Sequence, residues 1–147
     1  MGKKKVVEQL KSIQADAIAL FVKIHNYHWN IKGLQFASVH AYTEGLYEKV
    51  ATIYDDTAER ILQIGSKPIL TLDDIAATTR VKTEKGDSFD TKYVLENIYE
   101  DFSSLLGEFK ALAKLAEEDE DKVTATYADD QAKELEKELW KLKQTLE

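Results

Sequence analysis

The chain contains three histidines, His25, His28 and His40, and all of them fall in the stretch HNYHWNIKGLQFASVH. Acidic residues follow directly. On an ideal helix of about 100° per residue, with His40 as origin, Glu44 lies at about 40°, Asp55 at about 60°, Glu48 at about 80° and Glu59 at about 100°. One imidazole and four carboxylates therefore share a narrow stripe, with apolar residues on the other side. A solvated acidic face is the ordinary reading of such a stripe. Two features argue against it. The charges are nearly all of one sign, without the interleaved lysines that form i,i+4 pairs on solvated helices. The stripe also ends in a histidine. Imidazole nitrogen and carboxylate oxygen together suit iron, zinc or a similar divalent metal.

Distances decide how such a site could close. In an antiparallel hairpin turning near Leu34, His28 and His40 are equally far from the turn and come level. His40 and Asp55 are separated by about 22 Å along one helix axis, whereas a metal–ligand bond is about 2 Å. One subunit cannot close a site from both ends of its stripe. Two copies packed antiparallel about a two-fold axis near residue 47 or 48 can, and an isologous contact of this kind makes two identical sites. Each takes His28, His40 and Glu44 from one chain and Asp55 and Glu59, one turn apart, from its partner. Di-iron centres inside a single bundle use Glu-x-x-His pairs. This chain has none, so an ordinary intra-subunit centre is not expected.

The elements that must position these residues are helices. Apolar residues at Val6, Leu10, Ile13, Ala17, Leu20, Phe21, Ile24 and Tyr27 recur at three and four, predicting a first helix from about Val6 to Ile31. Gly33 stops it. A second helix runs from about Ser38 to Ile64 and ends at Gly65 and Pro68. Residues Ser66 to Asp90 form a long connection, inside which TLDDIAATTR reads as a short helix with Thr71 as N-cap. Further helices span about Thr91 to Glu118 and Val123 to Leu146. Two short loops and one long crossover define an all-α, ferritin-like four-helix bundle.

Composition sets the outer bounds. The 147 residues predict one domain, 1–147, with a short Lys-rich tail over residues 1–5. One Pro and six Gly leave few helix breakers. The absence of cysteine removes thiolate sites and suits a reducing, cytoplasmic setting. No secretory signal is visible and no apolar run is long enough to cross a bilayer, so no membrane role is expected. The initial Met-Gly lacks the Ser or Thr of a myristoylation signal. A net charge of −7 opposes nucleic-acid binding, except that Lys3, Lys4, Lys5 and Lys11 gather at the N-terminus, as a DNA-touching arm or a solvated helix start.

These residues resemble the Dps family of mini-ferritins, DNA-binding proteins from starved cells. The match runs through KIHNYHWNIKG, the His40 to Glu44 segment and DDTAER, then TRVK, TYADDQ and the region of Trp140, which is nearly the whole chain. It is especially similar to the branch that includes the neutrophil-activating proteins. The resemblance places His28, His40, Glu44, Asp55 and Glu59 at the family's inter-subunit ferroxidase ligands. It implies a dodecameric homo-oligomer that oxidises Fe(II), preferably with hydrogen peroxide, and stores ferric mineral. Protection of DNA follows from removing iron and peroxide together. Direct DNA binding, the alternative of a compacting shell with little iron chemistry, is doubtful for so short a tail and so acidic a chain. A signalling surface is implied only by the branch. Trp29, beside His28, is expected to receive a stray electron hole, or else to pack in an interface.

Other residues have plainer readings. His25, one turn before His28, reads as a structural histidine. Asp56 and Glu48 flank the stripe as iron guides or solvated acids. Asp129, Asp130 and the run from Glu117 to Asp121 could line an acidic pore, against the ordinary preference of acids for helix starts.

Overall fold

The structure, a computed structural model, describes residues 2–147. Helix α1 spans Gly2–Asn30, α2 Phe36–Gln63, α3 Leu72–Thr78, α4 Thr91–Glu118 and α5 Lys122–Leu146. Helix α1 packs along α2, α4 along α5, and the two hairpins meet through α1 and α4. The crossover between α2 and α4 lays α3 against α1. This is the ferritin-like four-helix bundle with one long connection.

The apolar stripes form one core. Leu10, Ile13, Leu20, Ile24 and Tyr27 of α1 meet Leu46, Val50, Ile53 and Ile61 of α2 and Ile98, Phe102 and Phe109 of α4. Each is almost completely removed from water. Full burial of such a side chain contributes about 1.5–3 kcal/mol.

The punctuation is specific. Gly33 and Gly65 adopt φ of 122° and 88°, a region that side chains disfavour, and so end the first two helical runs. Thr71, Asp90 and Asp121 cap α3, α4 and α5 by accepting from the backbone N–H groups of Asp74, Tyr93 and Thr124. Such caps are each worth about 1 kcal/mol.

Two features differ from expectation. Lys3, Lys4 and Lys5 are exposed residues of the first turns of α1, not a tail; Met1 lies outside the described residues. Helical propensity continues through them to Gly2 because nothing in the sequence stops it. The second feature is a two-residue parallel pair, β1 (Ile31–Lys32) with β2 (Phe89–Asp90), which ties the end of α1 to the end of the crossover. Two residues are too few to show a strand period.

Candidate metal centre

The hairpin end is built by reciprocal hydrogen bonds. His28 Nδ1 lies 2.7 Å from the carbonyl oxygen of His40, and His40 Nδ1 lies 2.8 Å from the carbonyl oxygen of His28. A carbonyl only accepts, so both rings carry their proton on Nδ1 and donate it. In a neutral ring held this way Nε2 carries the lone pair and is the nitrogen available to a metal. The rings stack with centroids 3.6 Å apart. Thr43 completes the arrangement. Its hydroxyl donates to Val39 and His40 carbonyls, and its oxygen lies 3.0 Å from His28 Nδ1.

Burial favours the neutral imidazole at His28, which is buried. Desolvation, followed by the neighbouring His40, lowers the pKa of His28 below its ordinary 6.5. His25 has another role. Its Nδ1 lies 2.7 Å from the Phe21 carbonyl, and its ring stacks on Tyr47 at 3.8 Å. Tyr47 in turn meets His28 edge-on at 5.2 Å. His25 thus packs the wall beside His28.

The acid stripe is exposed as a set. Glu44, Glu48, Asp55 and Glu59 all face solvent, while Val39, Thr43, Leu46, Val50, Ile53, Thr57 and Ile61 of the same helix are buried. Asp55 and Glu59 interact. The charge of Asp55, then a hydrogen bond with it, raises the Glu59 carboxyl above its ordinary value. Asp56 is raised by desolvation and then by Asp55. A cation would relieve this crowding of like charge. Among the described residues, no group of three or more His, Cys, Asp or Glu side chains of one chain could hold a metal ion. The structure brings His28 and His40 together at one end of α2 and Asp55 and Glu59 together at the other. It does not bring the two pairs together within one protomer.

The remaining candidates divide. Trp29 is 64% exposed and 5.4 Å from the His25 ring. Asp121 is occupied as the α5 cap and as the partner of Arg60 at 3.0 Å, which is helix-start chemistry. Asp129 and Asp130 are exposed on α5. Thr43, which touches both imidazole units, carries no signal in the sequence beyond being a polar residue on an apolar helix face.

A bundle with one long crossover, presenting paired imidazoles and an acid stripe on its second helix, is a ferritin-like protein, and the ferritin-like domain family matches residues 7–147. The DNA protection during starvation protein of Helicobacter pylori is 51% identical over 138 residues, covering 94% of this chain and 96% of that one. The crystal structure of CAIP from Helicobacter cinaedi superposes with a TM-score of 0.95 at 44% identity, covering 97% of this chain and 99% of the other. A Dps protein from Vibrio cholerae, described as a member of a broad superfamily of ferritin-like diiron-carboxylate proteins, superposes at 0.94 with 28% identity, covering 99% and 91%. The chain belongs to the Dps family of ferritin-like proteins.

Proposed function

We propose that this chain is the subunit of a shell that oxidises Fe(II), with hydrogen peroxide as the preferred oxidant, and stores the ferric product in the cytoplasm. The observation that carries the reading is the split donor set: a preorganised imidazole pair at one end of α2 and a like-charged carboxylate pair at the other. An antiparallel partner joins the two halves. His28 and His40 of one protomer, with Glu44, then face Asp55 and Glu59 of the next. The family's twelve-subunit assembly would supply six such dimer contacts around a hollow interior.

Fe(II) is the substrate. Neutral imidazole nitrogens hold the ferrous ion, and the carboxylates favour the more highly charged ferric product. Two ferrous ions give up one electron each, and that electron pair breaks the O–O bond of peroxide to the oxidation level of water. No hydroxyl radical needs to leave the site. Trp29 would accept a stray hole at its edge. The diiron-carboxylate description of the Vibrio relative supports iron as the metal, and the name of the Helicobacter relative supports DNA protection as the outcome.

The test is peroxide-driven oxidation of Fe(II) by the assembled protein. His28→Ala with His40→Ala, and separately Asp55→Ala with Glu59→Ala, should each slow oxidation roughly a hundredfold. The exposed acid pair can be removed without touching the core, so its variant separates lost chemistry from lost folding. Parental rates in both would reject the assignment.

A second reading, a DNA-compacting shell, rests on the exposed Lys3, Lys4 and Lys5 at the start of α1. A gel-shift titration at low and moderate salt separates it, since phosphate contacts weaken steeply with salt.

A further inference from the structure

The hairpin end holds more aromatic rings than a pair of metal-binding imidazoles needs. On α1, Phe21, His25 and Trp29 follow one another at i,i+4 spacing, with His28 one turn after His25, so their rings lie along one face. On α2, His40 and Tyr47 are two turns apart on the face that meets them. The half-buried Tyr47 fits between successive turns of α1. Its ring stacks on His25 with centroids 3.8 Å apart and meets His28 edge-on at 5.2 Å. His28 stacks on His40 at 3.6 Å, and His25 lies 5.4 Å from Trp29. Rings at these separations touch. They form a column from His40 through His28, Tyr47 and His25 to Trp29 at the surface.

The members of the column differ in chemistry. Imidazole resists one-electron oxidation, whereas phenol and indole form persistent radicals. Tyr47 is the oxidisable ring set directly against an imidazole of the iron-binding pair, and Trp29 is reached beyond it, across His25. A phenol loses an electron readily only if its proton leaves as well. Glu44 lies one turn before Tyr47 and Glu48 beside it, and the charges of both act on its hydroxyl. Negative charge so placed favours withdrawal of an electron from the ring.

We propose that Tyr47 is the protein's own electron donor, which supplies the missing electron when hydrogen peroxide meets a site holding a single ferrous ion. The inference rests on the iron-oxidising function proposed above. Cleavage of the O–O bond to the level of water takes two electrons. A site with two ferrous ions provides both, but a half-filled site provides one and would release a hydroxyl radical. With Tyr47 in place, Fe(II) gives one electron and becomes Fe(III), and the phenol gives the other together with its proton. The O–O bond breaks, hydroxide and water are formed, and the hole is left on Tyr47 as a neutral tyrosyl radical. Trp29 then passes an electron across the His25 ring and its indole proton to solvent, while Tyr47 takes a proton back and is restored as a phenol. The stack on His25 holds the Tyr47 ring between the iron ligand and this outlet.

Rapid freeze-quench electron paramagnetic resonance of the assembled full-length protein tests this. The protein is loaded anaerobically with a single ferrous ion per site and mixed with hydrogen peroxide. The earliest organic radical should narrow when tyrosine is ring-deuterated and not when tryptophan is. Tyr47→Phe keeps the ring and removes the hydroxyl, and should abolish this tyrosyl signal. Tyr47→Trp keeps an oxidisable ring and should turn the early signal tryptophanyl. Trp29→Phe blocks the outlet and should prolong the tyrosyl signal. An early radical indifferent to tyrosine deuteration would overturn the proposal, as would a tyrosyl signal that survives in Tyr47→Phe or Tyr47→Trp. Mössbauer spectra of the same frozen samples separate the two readings. Ferric iron without a tyrosyl radical sinks the role of Tyr47 alone, whereas iron that stays ferrous sinks the iron-oxidising function and this inference with it.

Discussion

The two ends of α2 treat their polar groups in opposite ways. At the hairpin end, His28 and His40 are shielded, stacked and locked into one tautomer by each other's backbone. At the far end, Asp55 and Glu59 lie in solvent and repel, and Glu59 is raised as a result. One end is finished without a ligand; the other is improved by a cation. A protomer can afford exposed acids, which water solvates, but an imidazole in the wrong tautomer offers no lone pair. The preorganisation is placed where solvent cannot supply it.

Mixing the two inactive variants is the strongest way to break this comparison. Subunits carrying His28→Ala with His40→Ala, reassembled at random in equal amounts with subunits carrying Asp55→Ala with Glu59→Ala, should regain about a quarter of the parental rate. Half of the two-fold contacts are then mixed and each of these holds one intact site of its two, so a quarter of all sites pair an intact imidazole end with an intact acid end. If each chain closed its own site, mixing would restore nothing.

Thr43→Val probes the finished end alone. Losing the hydroxyl beside His28 Nδ1 should weaken Fe(II) binding about tenfold, measured by anaerobic titration, and cost about 1 kcal/mol in denaturant unfolding.

A proton titration of His28 by NMR sharpens the comparison further. Its midpoint should lie below 6.5, so stability from neutral His28 is present above 6.5 and lost as pH falls through the lower folded value. In His40→Ala the midpoint should move upward, because one cause of the depression is gone, yet remain below 6.5 because burial persists. The smallest effect belongs to Lys3, Lys4 and Lys5. Changing all three to Gln should add about 0.3 kcal/mol or slightly more to stability, read as a raised thermal midpoint, because cations are unfavourable at a helix start.

The bundle was legible because its signals are periodic and long. Val6 to Tyr27 and Val94 to Leu112 repeat at three and four over many turns, and Gly33, Gly65 and Thr71 mark ends by known backbone preferences. The level placement of His28 and His40 followed from counting about Leu34, because a short loop leaves little freedom. What stayed hidden depends on contacts across elements. Thr43 orients an imidazole from another helix, Phe89 pairs with Ile31 across the whole crossover, and Arg80 meets Glu108 only after the bundle has closed. None of these has a local pattern. Lys3 to Lys5 looked like a tail because a charge run is easily separated from the apolar period that follows it, although the helix passes through both.

The crossed Nδ1 bonds of the two histidines have a mechanical consequence. Neutral, protonated or bound through Nε2, each ring keeps the same hydrogen on Nδ1 and the same grip on the opposite helix. A metal ion held at Nε2 would therefore leave the turn between the first two helices unmoved.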